Sequence, residues 1–256
     1  MKDVFDAPEN PAPALYREIS FHFYTEDVDL DRRLRLAAPR EPGDYPVVIF
    51  FPGGGLTSVG HECPRDLFDG RRIVVEPRYR LSPAVRADAI IDDAAAAVAW
   101  VFRRIADFGG DPARIFLGGM SAGAYLAAMI GLERNRLAAF GLDCRRLAGL
   151  LLVSGQMTTH FQVKADLAYP GDRYLPVIDC LAPLFHLSPA APPVLAVTGD
   201  AALDIPARAA ENRLLVASLR AMGHRRADCF ELPGLDHGGV FDSCDRYLLD
   251  FMDCGA

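Results

Sequence analysis

Five apolar, β-rich runs punctuate the chain, and helix-like segments separate most of them. They are Tyr45 to Phe51 (YPVVIFF), Arg71 to Tyr79 (RRIVVEPRY), Arg114 to Gly119 (RIFLGG), Arg145 to Gly155 (RRLAGLLLVSG) and Pro192 to Asp200 (PPVLAVTGD). A half-exposed strand alternates apolar and polar residues. A run with few polar interruptions suits a strand covered on both faces, as in a parallel sheet. The segments between supply the covers. Ala84 to Gly110 is alanine-rich with helical spacing and stops at a Gly-Gly pair. The run after Ser121 reads as a second helix, and the stretch from about Pro206 to Met222 as a third. Arg226 to Gly234 (RADCFELPG) is a further strand, and Gly239 to Asp253 a last helix.

Strand and helix therefore alternate after Tyr45, which predicts an α/β fold with a mostly parallel sheet and helices on both faces. Arg17 to Asp27 does alternate, and Arg32 to Pro39 is its natural hairpin partner, so an antiparallel N-terminal edge is expected. Asp6 to Pro13, rich in Pro and Ala, reads as a loose lead-in. With no internal repeat and no long linker, residues 1–256 are read as one domain. Residues 156–192 stand out. They contain no clear strand, are rich in aromatics and prolines, and are expected to form a small cap or substrate-facing excursion.

Charge and cysteine usage narrow the function. The formal net charge is −7 with no basic stripe, which argues against a nucleic-acid partner. The six cysteines form no Cys-x-x-Cys pair and none lies at zinc-finger spacing from a histidine, so no metal site is expected. Scattered thiols in a chain this large fit a reducing compartment. No apolar run reaches membrane-spanning length, and the first residues lack a signal-like apolar stretch. A cytoplasmic location is the expectation.

Gly119-Met120-Ser121-Ala122-Gly123 fits G-x-S-x-G between an expected strand and an expected helix. The pattern alone arises by chance in about one chain of this length in ten, so the context carries the weight. A serine on so tight a strand-to-helix corner needs small neighbours, and Gly119, Ala122, Gly123 and Ala124 are small. It would sit at a helix N-terminus, with the Ala122 amide turned toward a developing oxyanion. The competing reading of the same residues is a glycine-rich turn with a helix-capping serine.

Further oxyanion donors are expected from Gly54 and Gly55, in the run Phe51 to Gly60 (FFPGGGLTSVG) that follows the first buried strand. The spacing fits neither a phosphate loop nor a dinucleotide fingerprint. Of the six histidines, His237 is best placed as a base. It lies in the loop LPGLDHGG after the last strand, whereas His22, His61, His160, His186 and His224 occupy positions where a surface or satisfied histidine is ordinary. In the chain order Ser–acid–His, the acid should follow a strand between Ser121 and His237. Asp200 and Asp204 both qualify. Asp204 is preferred, with Asp200 as the alternative, and Asp236 is a poor orienter because it adjoins His237.

These residues resemble the α/β-hydrolases of the esterase and lipase type, near the hormone-sensitive-lipase-like and BD-FAE-like carboxylesterases. YPVVIFFPGGG, EPRYRLSP, DDAAAAVAWV, FGGDPARIFLGGMSAG and LPGLDHG carry the resemblance, in the expected order over about 200 residues. It implies an α/β-hydrolase fold and a serine hydrolase that needs no cofactor and cleaves small-molecule carboxylic esters of short acyl groups. Ser121 would be the nucleophile, His237 the base, and Gly54, Gly55 and Ala122 the oxyanion donors. Two departures matter. The family's His-Gly-Gly-Gly loop has Pro52 in place of its histidine, and its usual acid position is Ala202. Matching the following helix puts Asp204 in the acid's place after a slightly longer loop. Asp111, Arg78 and Arg80 are expected to be structural. Leu56 and Thr57, with Phe161 and Tyr169 of the excursion, are expected at the substrate pocket. An amidase resembling arylformamidase, a peptidase, and a non-catalytic binding protein are the rival readings, and a homo-oligomer is left open.

Overall fold

The structure, a computed structural model, describes residues 15–60 and 63–254 apart from the Glu18 side chain. The Asp6 to Pro13 lead-in and His61 lie outside the described residues. Eight strands form one sheet: β1 (Tyr16–Phe23), β2 (Arg33–Pro39), β3 (Tyr45–Phe51), β4 (Ile73–Pro77), β5 (Gly110–Met120), β6 (Gly149–Val153), β7 (Val194–Gly199) and β8 (Ala227–Leu232). Their order is β1-β2-β4-β3-β5-β6-β7-β8. β1 and β2 pair antiparallel, as do β2 and β4, and every pairing from β4 through β3 to β8 is parallel.

The unbroken apolar runs have a direct cause. In β3, Val47, Ile49 and Phe51 point into one core layer while Val48 and Phe50 point into the other. All five are fully buried. Each such side chain contributes roughly 1.5–3 kcal/mol by leaving water. One face is covered by α1 (Ala87–Arg104), α2 (Ala122–Leu132) and α5 (Arg208–Ala221), together with α3 (Arg134–Ala138). The other is covered by α6 (His237–Phe241) and α7 (Asp245–Asp253), through Val240, Leu248, Phe251 and Met252. Every residue of α2 is buried, which is why its sequence is apolar all round rather than striped. β1, at the edge, leaves Ile19, Phe21 and Phe23 exposed.

Several element boundaries differ from the sequence expectation; the first helix ends at Arg104, short of the Gly-Gly pair, and the strand expected from Arg114 starts at Gly110. The third helix begins at Arg208 rather than near Pro206, because Ala207 adopts a left-handed φ of 69°. The last helix is two helices, with Asp242 to Cys244 outside both. His237 is not in a loop but opens α6, whose first turn is capped by the Asp236 carboxylate accepting from the Gly239 amide at 2.8 Å.

The sheet topology positions the site. From β3 the chain continues to β4 on one side, whereas from the adjacent β5 it continues to β6 on the other, so the connections leaving these two carboxyl ends run in opposite directions. Such a switch point opens a crevice above the strand ends. Register keeps those ends level: Phe51 pairs with Gly119, Met120 with Val153, Val153 with Val197, and Gly199 with Leu232. Residues 53–55, Ser121, Ser154, Asp204 and His237 follow β3, β5, β6, β7 and β8 respectively. Among the described residues, no helix is long and apolar enough to cross a membrane.

Candidate active site

The corner at Ser121 is a backbone-to-backbone contact. A Cβ on Gly119 would lie 2.4 Å from the carbonyl carbon of Gly123, and one on Gly123 would lie 2.1 Å from the Phe51 oxygen. Neither position admits any side chain, so both glycines of the motif follow from α2 starting directly against the ends of β3 and β5. Ser121 has φ 55° and ψ −113°, a region that costs a non-glycine residue about 1–3 kcal/mol. Its amide donates to the Val153 carbonyl at 2.8 Å and its carbonyl accepts from the Tyr125 amide at 3.0 Å, so neighbouring elements hold the strained turn. The Ser121 side chain makes no capping hydrogen bond to α2, unlike a serine that merely caps a helix.

The glycine loop lies beside this corner. Gly54 has φ 115°, and a Cβ there would lie 2.0 Å from the Ser58 oxygen. The Gly54 carbonyl accepts from the amides of Thr57 and Ser58, which curls the loop. The amides of Gly54, Gly55 and Ala122 make no backbone hydrogen bond among the described residues. The loop also has a brace the sequence did not announce. The buried Tyr79 hydroxyl donates to the Pro52 carbonyl at 2.8 Å, and the Ser82 amide donates to the Leu56 carbonyl at 2.9 Å. Both donors belong to the EPRYRLSP stretch, which thereby ties down a loop with proline where the family has histidine.

His237 Nδ1 lies 2.7 Å from Asp204 Oδ1. A carboxylate only accepts, so Nδ1 carries the proton and Nε2 is left with a lone pair. Asp204 is 6% exposed. Burial pushes its carboxyl up, but the hydrogen bonds from His237, Ser154 and the Ile205 amide outweigh this and hold it below the usual carboxylate range. Ser154, with φ 44° at the end of β6, donates to Asp204 Oδ2 at 2.6 Å and sits 3.1 Å from His237 Nδ1. The Gly199 amide donates to the same Oδ2 at 3.0 Å. Asp200 has different work. Its carboxylate accepts from the Ala202 and Gly234 amides, both at 2.9 Å, and these bonds lower its pKa. Its carbonyl accepts from the Asp204 amide at 2.8 Å. Asp200 thus fastens the loop carrying Asp204 to the loop carrying His237.

Ser121, His237, Gly54, Gly55 and Thr57 line one cavity of about 580 Å³. The excursion supplies another wall with His160, Phe161, Gln162, Arg173 and Tyr174, to which Ile205 and Pro206, just before α5, and Arg208, its first residue, are added. Within the excursion, α4 (Phe161–Asp166) is anchored by Asp166, which accepts from the Ala87 amide at 2.9 Å at the start of α1. Lys164 Nζ donates to the carbonyls of Arg173 and Leu175, fixing the stretch that bears Arg173 and Tyr174.

Two sequence expectations are corrected here. Leu56, expected at the pocket, is fully buried in the main core; it is not a lining residue. Its φ of 65° lies in the left-handed region, a backbone turn its residue type does not advertise. Tyr169 does not line the cavity either, because its hydroxyl is held by Asp179 Oδ2 at 2.6 Å. Two of the residues expected to be structural, Asp111 and Arg80, make structural contacts. Asp111 accepts from the Ala113 amide and pairs with Arg114, and Arg80 pairs with the buried Asp93 of α1. The sequence reading gives no site role to Ser154, Tyr79, Arg173 or Arg208 and takes His160 as an ordinary histidine; Tyr79 lies within EPRYRLSP, and Ser154 is a polar residue ending the apolar run LLLV.

The fold that carries the strained serine, the glycine loop and the carboxylate-bound histidine is shared with known proteins. A family model described as alpha/beta hydrolase fold matches residues 48–239, and the chain belongs to that family. Similar curated proteins include two from Mycobacterium tuberculosis. Esterase LipQ is 30% identical over 229 residues, covering 82% of this chain and 53% of that protein. Esterase LipC is 29% identical over 238 residues, covering 84% and 57%. The chain thus spans a little over half the length of these relatives. Among solved structures, a truncated carbohydrate esterase from gut microbiota superposes with a TM-score of 0.81 at 17% identity, covering 96% of this chain and 99% of that one. A bacterial heroin esterase gives 0.72 at 21%, covering 93% and 84%. At such identities these structures speak to the fold.

Proposed function

We propose that the chain is a serine hydrolase that cleaves small carboxylic esters through an acyl-enzyme. The observation that carries this reading is the cavity shared by Ser121 and His237, with the His237 Nδ1 proton held by buried Asp204 at 2.7 Å. Ser121 Oγ attacks the ester carbonyl while His237 Nε2 takes its proton. The negative charge on the former carbonyl oxygen is met by the Gly54, Gly55 and Ala122 amides, the last at the positive end of the α2 dipole. Collapse expels the alcohol, which receives the proton from His237. Water then attacks the acyl-enzyme by the same route, and the acid leaves. Asp204 fixes the tautomer and stabilises the imidazolium. The esterase names of LipQ and LipC support the substrate class.

A screen of p-nitrophenyl esters from acetate to decanoate tests the reading. Turnover fastest on the short acyl chains is expected, with kcat lowered by on the order of 10⁴ in Ser121→Ala. Undiminished turnover by a folded Ser121→Ala protein would rule out this mechanism. Faster cleavage of the matched anilides would favour an amidase.

A further inference from the structure

The cavity is cationic in a chain whose net charge is −7. Arg173 and Arg208 line it, and among its described lining residues there is no carboxylate. Arg208 is the more telling of the two. It is 3% exposed, and its Nη1 has no hydrogen-bond partner among the described residues. The Phe161 ring lies 5.8 Å from its guanidinium carbon, and the charges of Glu211 and Asp204 act on it from nearby without an ion-pair contact among the described residues. A buried guanidinium with a donor left unpartnered is a costly arrangement in a protein.

The nearby carboxylates are committed elsewhere. Asp204 accepts from His237, Ser154, and the Gly199 and Ile205 amides. Glu211, one turn along α5, accepts from the Met157 and Thr158 amides and the Thr158 hydroxyl. Arg208 also occupies the first turn of a 14-residue helix, the end where a positive side chain is least welcome and an anion most welcome. Burial pushes its pKa below the ordinary arginine range, yet a guanidinium stays charged near neutral pH. Arg173 adds a second cation, stacked on Phe161 and Tyr174 at 4.8 and 5.2 Å. Buried His160 does not add a third. Burial first, then the charges of Arg208, Arg173 and Lys164, drive its pKa down to about 3, and its Nδ1 accepts from the Gln162 amide.

We infer that the substrate of this site carries, besides the ester, a free carboxylate that binds Arg208, with Arg173 as the second cation. The inference rests on the hydrolase reading above. A carboxylate matches the planar fork of a guanidinium and supplies an acceptor for the unpartnered Nη1. It could sit on the acyl side, as in a dicarboxylic half-ester, or on the alcohol side.

Two isosteric pairs separate these sources. Monoethyl adipate against ethyl adipamate probes the acyl side, and 4-acetoxybenzoate against 4-acetoxybenzamide the alcohol side. In one pair kcat/KM should favour the carboxylate by about 10- to 100-fold. Arg208→Gln should bring that ratio towards one, with Arg208→Lys in between. Thermal melts establish folding, and if Arg208→Gln is unfolded, Arg208→Lys and Arg173→Gln carry the comparison. Ratios near one in both pairs, or a preference that these variants leave intact, would overturn the inference while leaving an ester hydrolase standing. If no ester is cleaved at all, the hydrolase reading fails separately. Calorimetry of adipate with Ser121→Ala then decides the carboxylate site, with binding lost in Ser121→Ala/Arg208→Gln in its favour and absence of binding against it.

Discussion

One wall of the cavity is built from backbone and the other from side chains. Around Ser121 the glycines at 119 and 123 and the loop glycine at 54 are imposed by main-chain atoms within 2.4 Å of where a Cβ would be. Any residue but glycine would collide there, so this wall writes itself into the sequence. The wall made by the excursion and the start of α5 has no such rule. Phe161, Arg173, Tyr174 and Arg208 reach the cavity from separate stretches, and each could be exchanged without breaking a main-chain contact. The contrast teaches that backbone geometry fixes where the chemistry happens, while side-chain choice fixes what is admitted to it.

The strongest way to break that division is at the acid, where a side chain serves the backbone-built wall. Asp204→Asn should lower kcat by about 10⁴, by analogy with the loss of the orienting aspartate in serine proteases. Asp200→Asn should cost far less, about tenfold, because its contacts run to backbone amides of the loops and not to His237. Purified variants with matched melting profiles and single-substrate kinetics check this. A severe loss confined to Asp200→Asn would reverse the assignment.

A smaller effect is expected at Ser154. Ser154→Ala removes a hydrogen bond from a buried, charged carboxylate, an interaction worth about 1.5–3 kcal/mol. A 10- to 100-fold fall in kcat with little change in KM is the expected outcome, read from steady-state kinetics. A rise in KM alone would assign Ser154 to the substrate-facing wall instead.

Legibility followed the same division. The alternation of apolar runs was readable because both faces of β3 are buried, and Ser121 because its glycine neighbours are forced. Asp204 was separable from Asp200 only through the register of α5, which itself starts two residues late because Ala207 is left-handed. Ser154 could not be found by motif, since a serine ending a strand is common and its two partners lie 50 and 83 residues away. Leu56 was misplaced because a positive φ turned an apolar side chain from the pocket to the core. Arg208 was invisible for a simpler reason: burial without a partner is a property of the packed molecule, not of the residue.

The smallest expected effect lies away from both walls and sets a scale for ordinary electrostatics. Asp245 opens α7, and burial, then the neighbouring Asp66 charge, raises its carboxyl to about 6. A carboxyl raised in the fold binds its proton more tightly folded than unfolded. Stability is therefore lost as pH rises from about 4 to 6, and the cost persists above 6. Asp245→Asn should stabilise the protein at pH 7.5 by on the order of 1 kcal/mol, since the site is only half-buried and water screens it. The gain should vanish below about pH 4 in denaturant titrations. A gain independent of pH would show that packing, not charge, is responsible.

The most direct test of the backbone-built wall is covalent. The chain is incubated with a fluorophosphonate probe at neutral pH, digested, and mapped by mass spectrometry. A single phosphonyl adduct on Ser121 is expected, abolished in Ser121→Ala and slowed by about 10³ or more in His237→Ala, which lacks the base that activates the hydroxyl. An unlabelled folded protein, or an adduct on another serine that persists in Ser121→Ala, would contradict the assignment of Ser121 as the nucleophile.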